Sequence, residues 1–354
     1  MNILDALLQM RATDPQDMHE RIYQTPEQLK QALQIGKAAP LDLRGRFVRA
    51  ILVTGLGGSA IGGDFVRSYL INDLNTPLLV NRDYFLPAFV DEHCLVMVSS
   101  YSGNTEETLS AYEDARRKQA IIVCITSGGQ LEARARQQGF PIIKIPGGSP
   151  PRAAFGYSVL SLLCCLMSSG LIGDQTVEIE KAIQLITTLR ERYRRETATT
   201  ENPAKQLALA VGDSIPLIYA PTTHYDAVAT RWKGQICENG KRMAFANVFP
   251  ELNHNEMVGW ELPAAALKGL TVIMLRDRSA HGQVQKRMEI TQEKIQSVAR
   301  SVVEVWSEES SLLARLLAMV FLGDYVSYYL AMLSGVDPTP VAVIDDLKNR
   351  LQAK

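Results

Sequence analysis

A chain of 354 residues is too long for one average hydrophobic core and suits two domains. Its apolar fraction of 46% and charged fraction of 21% are ordinary for a folded globular protein. The 37 basic and 38 acidic residues leave a formal net charge of -1. That balance excludes a general attraction to nucleic acid or membrane surfaces, so any anion site must be local.

The segment from Met1 to Arg11 has an amphipathic helix pattern carrying Asp5, without the basic stretch and apolar core of a signal peptide. Residues 1–45 as a whole read as helical. Within them Thr25-Pro26-Glu27-Gln28 is a helix start: Thr25 can cap, Pro26 is preset for the first helical position, and Gln28 can reach back. The five cysteines, Cys94, Cys124, Cys164, Cys165 and Cys237, form no CxxC pair. An odd number, mostly in apolar runs, argues against a disulfide framework and fits a reducing, cytoplasmic setting.

From residue 46 the period changes. Short apolar runs at Ala50–Thr54, Pro77–Asn81, Cys94–Ser99, Ile121–Thr126 and Ile142–Ile145 alternate with helical patterns at Ile61–Ile71, Thr105–Lys118 and Leu131–Gln138. Buried strands alternating with helices predict a parallel sheet covered on both faces. Residues 152–197 then read as helical, most apolar from Tyr157 to Ile172, which is short for a bilayer and fits a buried helix. The charged run at Arg190–Glu196 reads as a solvated helix face, and Glu201-Asn-Pro203 as a break. A second series follows, with strands at Ile215–Ala220, Ala244–Val248, Thr271–Leu275 and Val302–Val305. Its helices are predicted at Asp226–Cys237, Gln283–Ile295 and Ser310–Leu333. The expected architecture is α/β, with two tandem domains, each a parallel sheet flanked by helices. The expected units are a helical segment 1–45, a first sheet domain 46–155, linking helices 156–204, and a second sheet domain 205–354 with a C-terminal helix.

Gly55-Leu-Gly-Gly-Ser-Ala-Ile-Gly-Gly follows the first strand and opens a helix. Alone it is a weak match to a dinucleotide-binding loop, with Asp83 the nearest acidic residue to the place where the ribose partner belongs. The third strand ends in Ser99-Ser-Tyr-Ser-Gly-Asn-Thr-Glu-Glu-Thr, directly before another helix. A dinucleotide reading leaves this hydroxyl-rich loop unexplained. Strand ends of a parallel sheet share one edge, so the two loops should face each other. Hydroxyls and the first N–H groups of a helix can then surround a phosphate without Lys or Arg. The segments Gly57–Asp64 and Ser99–Thr108 resemble those of a sugar isomerase domain. The resemblance implies that Gly58, Ser59, Ser100, Ser102 and Thr105 hold the phosphate of a sugar phosphate.

Moving a proton between C1 and C2 of a sugar requires a base, a group that opens the ring, and positive charge near the developing oxyanion. Three residues stand out. Arg152 follows Gly-Gly-Ser-Pro-Pro, Glu238 lies in WKGQICENGKRMAF, and His254 lies in PELNHNEMVGWE. Each also has a plain structural reading: a helix-start arginine, an exposed carboxylate, a hydrogen-bonded interface histidine. Glu256 and Glu261 compete as bases. Together with DPTPVAVIDDLKNRL at the C-terminus, these segments resemble the bifunctional phosphoglucose/phosphomannose isomerases from about Val53 onward. The resemblance implies that Glu238 shuttles the proton and that Arg152 stabilises the enediolate. It also implies that His254 and Lys348 serve ring opening, with His254 reaching in across a homodimer interface, and that Thr339 gives room for both C2 epimers. It carries no cofactor and no metal. His19, His93, His224, His254 and His281 are scattered without HxH or HExxH spacing, which does not suit a zinc-dependent mannose phosphate isomerase. A non-catalytic sugar-phosphate sensor and a monofunctional glucose-6-phosphate isomerase remain as alternatives. A sensor of that kind usually carries a basic DNA-binding module. Asp5, Asp14, Asp17, Glu20 and Glu27 make residues 1–45 a poor one, and neither nucleic acid nor membrane is an expected partner.

Overall fold

A computed structural model describes residues 3–38, 41–307, 309 and 311–352. Helices α1 (Leu7–Thr13), α2 (Met18–Tyr23) and α3 (Thr25–Lys37) come first. The first sheet region runs β1 (Ala50–Thr54), α4 (Gly57–Leu70), β2 (Leu78–Asn81), β3 (Cys94–Ser100), α5 (Glu106–Arg117), β4 (Ile121–Thr126), α6 (Gly129–Gln138) and β5 (Ile142–Lys144). Helices α7 (Phe155–Ser168), α8 (Thr176–Tyr193) and α9 (Pro203–Val211) follow. The second sheet region contains β6 (Ile215–Pro221), α10 (Thr222–Glu238), β7 (Phe245–Phe249), α11 (Ala264–Leu267), β8 (Leu270–Asp277), α12 (Gly282–Ile295) and β9 (Ser301–Ser307). The chain closes with α13 (Leu312–Ser334) and α14 (Ala342–Gln352). Ser310, the expected start of α13, and Met1, at the expected start of the N-terminal helix pattern, lie outside the described residues.

Both sheets are parallel. Their strand orders are β2-β1-β3-β4-β5 and β7-β6-β8-β9, the same winding in each. In the first, the chain leaves β1 to form β2 on one side and then β3 on the other. The C-terminal ends of β1 and β3 therefore border a topological switch point, where the crossing helices diverge and leave a crevice. Strands β1 and β3 are buried along their whole length, which is why they read as unbroken apolar runs. Ile51, Val53, Leu95 and Met97 face a central core shared with α3, α7, α8, α13 and the residues Ile218, Ala220, Ile273 and Leu275 of the second sheet. The outer face of each sheet is covered separately, by Leu109 and Tyr112 of α5 in one and by Met288 and Ile295 of α12 in the other.

Among the described residues, α13 is the helix long and apolar enough to cross a membrane by length and composition, rather than the 157–172 stretch. It is almost wholly buried and serves as the central core helix.

Three local expectations are corrected. Helix α4 begins at Gly57, inside the glycine run, because that run packs tightly on its neighbours and low helix propensity is overridden by tertiary contact. Thr25 does not cap α3; its Oγ1 donates to Ile22 O (2.7 Å) and it is itself the first helical residue. The Arg190–Glu196 run is solvated only in part: Glu191, Arg192 and Glu196 are exposed, while the other residues form a packed seam. Tyr193 is buried, the Arg190 guanidinium pairs with Glu27 (2.8 Å), and Arg195 pairs with Asp17 (3.3 Å). Those ion pairs fasten α8 and its C-terminal extension to the N-terminal helices.

His19 sits in the same seam, with its ring close to those of Tyr23, Tyr325 and Tyr328. Its Nε2 accepts from the Arg195 N–H (3.0 Å), which requires the neutral ring. Burial, then the Arg195 guanidinium, lowers its pKa to about 4. Between pH 6.5 and 4 the unfolded chain therefore binds a proton that the folded chain excludes, so this contribution is complete above pH 6.5 and is lost as pH falls. His19→Gln can retain the acceptor without titrating. Urea unfolding from about pH 7.5 to about pH 4 should show the wild type losing roughly 3 kcal/mol more than His19→Gln, and parallel losses would contradict a buried neutral imidazole.

Candidate active site

The two loops at the switch point are joined. Ser59 Oγ, on the first turn of α4, accepts from the Tyr101 N–H (3.2 Å) at the end of β3. Ser100 Oγ donates to Thr105 Oγ1 (3.1 Å) and accepts from the Gly103 N–H (3.1 Å). Ser102 Oγ accepts from the Asn104 N–H (3.2 Å). Ser59 and Ser100 are buried, Thr105 is half-buried and Ser102 is exposed. Helices α4 and α5 have Leu56 and Thr105 at their N-caps, and neither carries a side-chain cap hydrogen bond. Two helix N-termini thus open onto one sheet edge without a capping side chain, ringed by hydroxyls. Such an arrangement can hold an anion through N–H dipoles rather than cations.

The loop after β5 closes on this edge. A Cβ at Gly58 would lie 2.7 Å from Pro151 O and 2.9 Å from its carbonyl carbon, so the start of α4 can abut the 3-10 turn Pro151–Ala153 only as glycine. That turn carries Arg152, whose side chain is 4% exposed. Its Nε donates to Asn239 Oδ1 (2.6 Å), and its Nη2 donates to Pro338 O (2.8 Å) and Thr339 O (2.7 Å). Its Nη1 is left facing Glu238 Oε2 at 3.5 Å. Burial pulls the guanidinium pKa down and the Glu238 carboxylate opposes the shift. Arginine stays cationic in proteins, so the outcome is a fixed buried charge.

Glu238 is the last residue of α10, with its side chain one-third exposed. Arg231 and Gln235 precede it on the same helix face at helical spacing. Asp324 of α13 accepts from both, at 2.8 Å each, and Arg231 also donates to Arg152 O (3.1 Å). Asn239 donates from Nδ2 to Ser327 Oγ (3.0 Å), which donates to Asp324 O (2.7 Å). Lys241, at φ +54°, places its Nζ on the carbonyls of Glu238 and Pro338. These supporting residues were not assigned roles from sequence, although the WKGQICENGK segment contains three of them.

The structure brings Arg152, Glu238 and Thr339 together, against the turn that abuts Gly58. Thr339 is 8% exposed, with no hydrogen-bond partner for its buried Oγ1 among the described residues. His254 and Lys348 are not brought to them. His254 is exposed on the 3-10 turn Glu251–His254. Lys348 is exposed on α14, which shows no buried side chain from Ala342 to Leu351. No hydrogen bond or ion pair among the described residues joins either to Glu238 or Arg152. Glu256 is engaged by Tyr219 and Asn247, which makes it a structural acceptor. Asp83 is occupied by its own turn, accepting from the Tyr84 N–H (2.6 Å). Among the described residues no three His, Cys, Asp or Glu side chains are grouped to hold a metal.

Comparison with known proteins matches residues 200–351 to the bacterial phospho-glucose isomerase C-terminal SIS domain. A bifunctional phosphoglucose/phosphomannose isomerase of Caldicellulosiruptor bescii is 47% identical over 334 residues, covering 94% of this chain and 98% of the relative. The chain belongs to the bifunctional phosphoglucose/phosphomannose isomerase family. A member from Aquifex aeolicus is 37% identical, covering 86% of this chain and 91% of its own. In fold, the chain is similar to the crystal structure of a glucose-6-phosphate isomerase like protein from Thermus thermophilus, with TM-score 0.65 and 18% identity. That match covers 97% of this chain and all of the other.

The Gly58 contact makes a sharp prediction. Gly58→Ala sets a methyl against backbone that cannot step aside as a side chain would, which should cost about 1–3 kcal/mol. A chemical-unfolding midpoint equal to that of the wild type would contradict the packing of α4 on the Arg152 turn.

Proposed function

We propose that this chain interconverts glucose 6-phosphate and mannose 6-phosphate with fructose 6-phosphate through an enediolate, without a metal ion. The observation that carries the reading is the Arg152 cation fixed 3.5 Å from the Glu238 carboxylate, beside the opening of α4. Ser59, Ser100, Ser102, Thr105 and the N-termini of α4 and α5, Gly58 included, bind the sugar phosphate. Glu238 removes the C2 proton of the open-chain aldose and returns it to C1; the reverse passage starts from C1 of the ketose. Arg152 holds the negative charge that develops on the enediolate oxygen, the role of a preorganised cation in a partly dry site. A cation built into the site supplies the charge that a Lewis acid would otherwise provide. Thr339, packed at the Arg152 guanidinium, borders the sugar and leaves room for either C2 configuration.

Ring opening is assigned to His254 and Lys348, brought to the site in a homodimer. Their exposure in the single chain is consistent with this. So is α14, whose Val343, Ile344, Leu347 and Leu351 are all exposed and recur at helical spacing, as on a helix face meant for a second copy. The sheet regions 46–155 and 205–354 act as two units, the first binding phosphate and the second supplying the base. The reading fits a cytoplasmic enzyme.

The test is isomerase activity on each aldose phosphate against fructose 6-phosphate, with and without EDTA. Activity on both substrates that survives the chelator is expected. Activity on glucose 6-phosphate alone would remove the mannose assignment, and activity abolished by EDTA would remove the metal-free mechanism. Glu238→Gln should lower kcat by about 10²–10⁴, the usual share of a general base. Near-normal turnover by that variant would mean that another group moves the proton.

A further inference from the structure

The N-terminal helices contribute no strand and none of the proposed catalytic groups, yet they grip the loop that carries Arg152 on both sides of that residue. Before it, Arg21 of α2 donates from Nη1 to Gly148 O (3.1 Å) and Ser149 Oγ (3.2 Å). After it, Gln28 of α3 donates from Nε2 to Ala153 O (2.8 Å), while its Oε1 accepts from the Gly156 N–H (2.7 Å). The direction of this amide is not arbitrary. A carbonyl can only accept and a backbone N–H can only donate, so both ends of the carboxamide are specified.

Gly156 lies in the first turn of α7, whose N-cap Ala154 provides no side-chain cap hydrogen bond. Gln28 thus satisfies an N–H that a helix of its own cannot, from a helix more than 100 residues away in sequence. The approach is close: a Cβ at Gly156 would lie 2.7 Å from Gln28 Oε1. Gln28 does not reach back to its own helix start, the role its sequence context suggests. Its hydrogen-bonding groups are spent on the Arg152 turn instead.

From this geometry we propose that Gln28 is a positioning residue for the isomerase reaction, holding the Pro151–Ala153 turn so that the Arg152 guanidinium stays in register with Glu238. The proposal rests on the functional reading above. Arg152 has three of its donors committed to Asn239, Pro338 and Thr339, so the direction of the remaining Nη1 depends on where the turn sits. A displacement of the order of 1 Å at such a group can cost about 10²-fold in rate. Among the described residues the hydrogen bonds of the Gln28 amide go to Ala153 and Gly156 and not to the hydroxyls of Ser59, Ser100, Ser102 or Thr105, so ground-state binding through those hydroxyls should be largely spared.

The experiment compares wild type, Gln28→Ala and Gln28→Met, the last keeping the side-chain volume while removing both hydrogen bonds. Turnover is measured on fructose 6-phosphate. Affinity is measured for two phosphate-bearing probes, a five-carbon aldonate 5-phosphate whose carboxylate mimics the enediolate, and a hexitol 6-phosphate without that charge. The expected result for folded Gln28→Met is a kcat lowered about 10- to 100-fold with KM within about threefold. Aldonate affinity should fall in step with kcat, and hexitol affinity should hold. A merely structural role would lower the unfolding midpoint of both variants without separating the two probes. A Gln28→Met enzyme with near-wild-type kcat, or one that loses both probes equally, overturns the proposal. A wild-type chain without isomerase activity would instead overturn the functional reading on which it rests.

Discussion

Arg152 is the constraint on which the site depends. Taking a guanidinium out of water costs several kcal/mol unless its donors are met and its charge is balanced. Here it is met by groups from two distant parts of the chain, Glu238 and Asn239 at the end of α10 and the carbonyls of Pro338 and Thr339 before α14, while its own turn packs on Gly58. Each would have a less favourable environment without the others. The buried cation therefore sets how the first sheet region, the end of α10 and the C-terminal segment meet. The same charge faces the carboxylate proposed to move the proton, so the feature that organises the fold locally is also the one the chemistry would use.

A second theme is how a chain with net charge -1 can handle a dianionic substrate. The proposed phosphate pocket has no lysine or arginine among the residues assigned to it. It relies on hydroxyls and on two helix N-termini whose positive ends converge at a switch point of the sheet. The acidic Glu106 and Glu107 in the first turn of α5 complement the helix dipole from outside. Cationic charge is concentrated one step away, at Arg152 and Lys241, where the developing oxyanion would form. On the proposed function, binding and catalysis would thus be electrostatically separated along the substrate.

The sequence shows the sheets well and the supports poorly, for physical reasons. The run Ala50–Thr54 and the run Ile121–Thr126 read as strands because they are buried on both faces, and a fully buried strand leaves an unbroken apolar signal. Loop chemistry at Ser59 and Ser100 is legible because hydroxyls crowd at strand ends. Helix α4 starts earlier than expected because glycine's low propensity hides a helix that tertiary packing stabilises. Arg190 and Arg195 read as solvated because nothing in local spacing marks partners more than 160 residues away. The same blindness covers Asp324, which accepts from Arg231 and Gln235 of α10 across a separation of about 90 residues. Gln28 belongs to this group as well: its sequence context suggests a helix cap, and only the fold shows its amide on the Arg152 turn.

The central claim is that a carboxylate, assisted by a buried cation, carries a proton between C1 and C2. Running the isomerisation in D2O tests it most directly, with mass spectrometry of the aldose phosphate formed from fructose 6-phosphate. Proton transfer through Glu238, whose side chain is one-third exposed, predicts deuterium at C2 of the product, because the transferred proton exchanges with solvent during the lifetime of the enediolate. Product formed without any deuterium would contradict a proton carried between the carbons on a solvent-accessible Glu238.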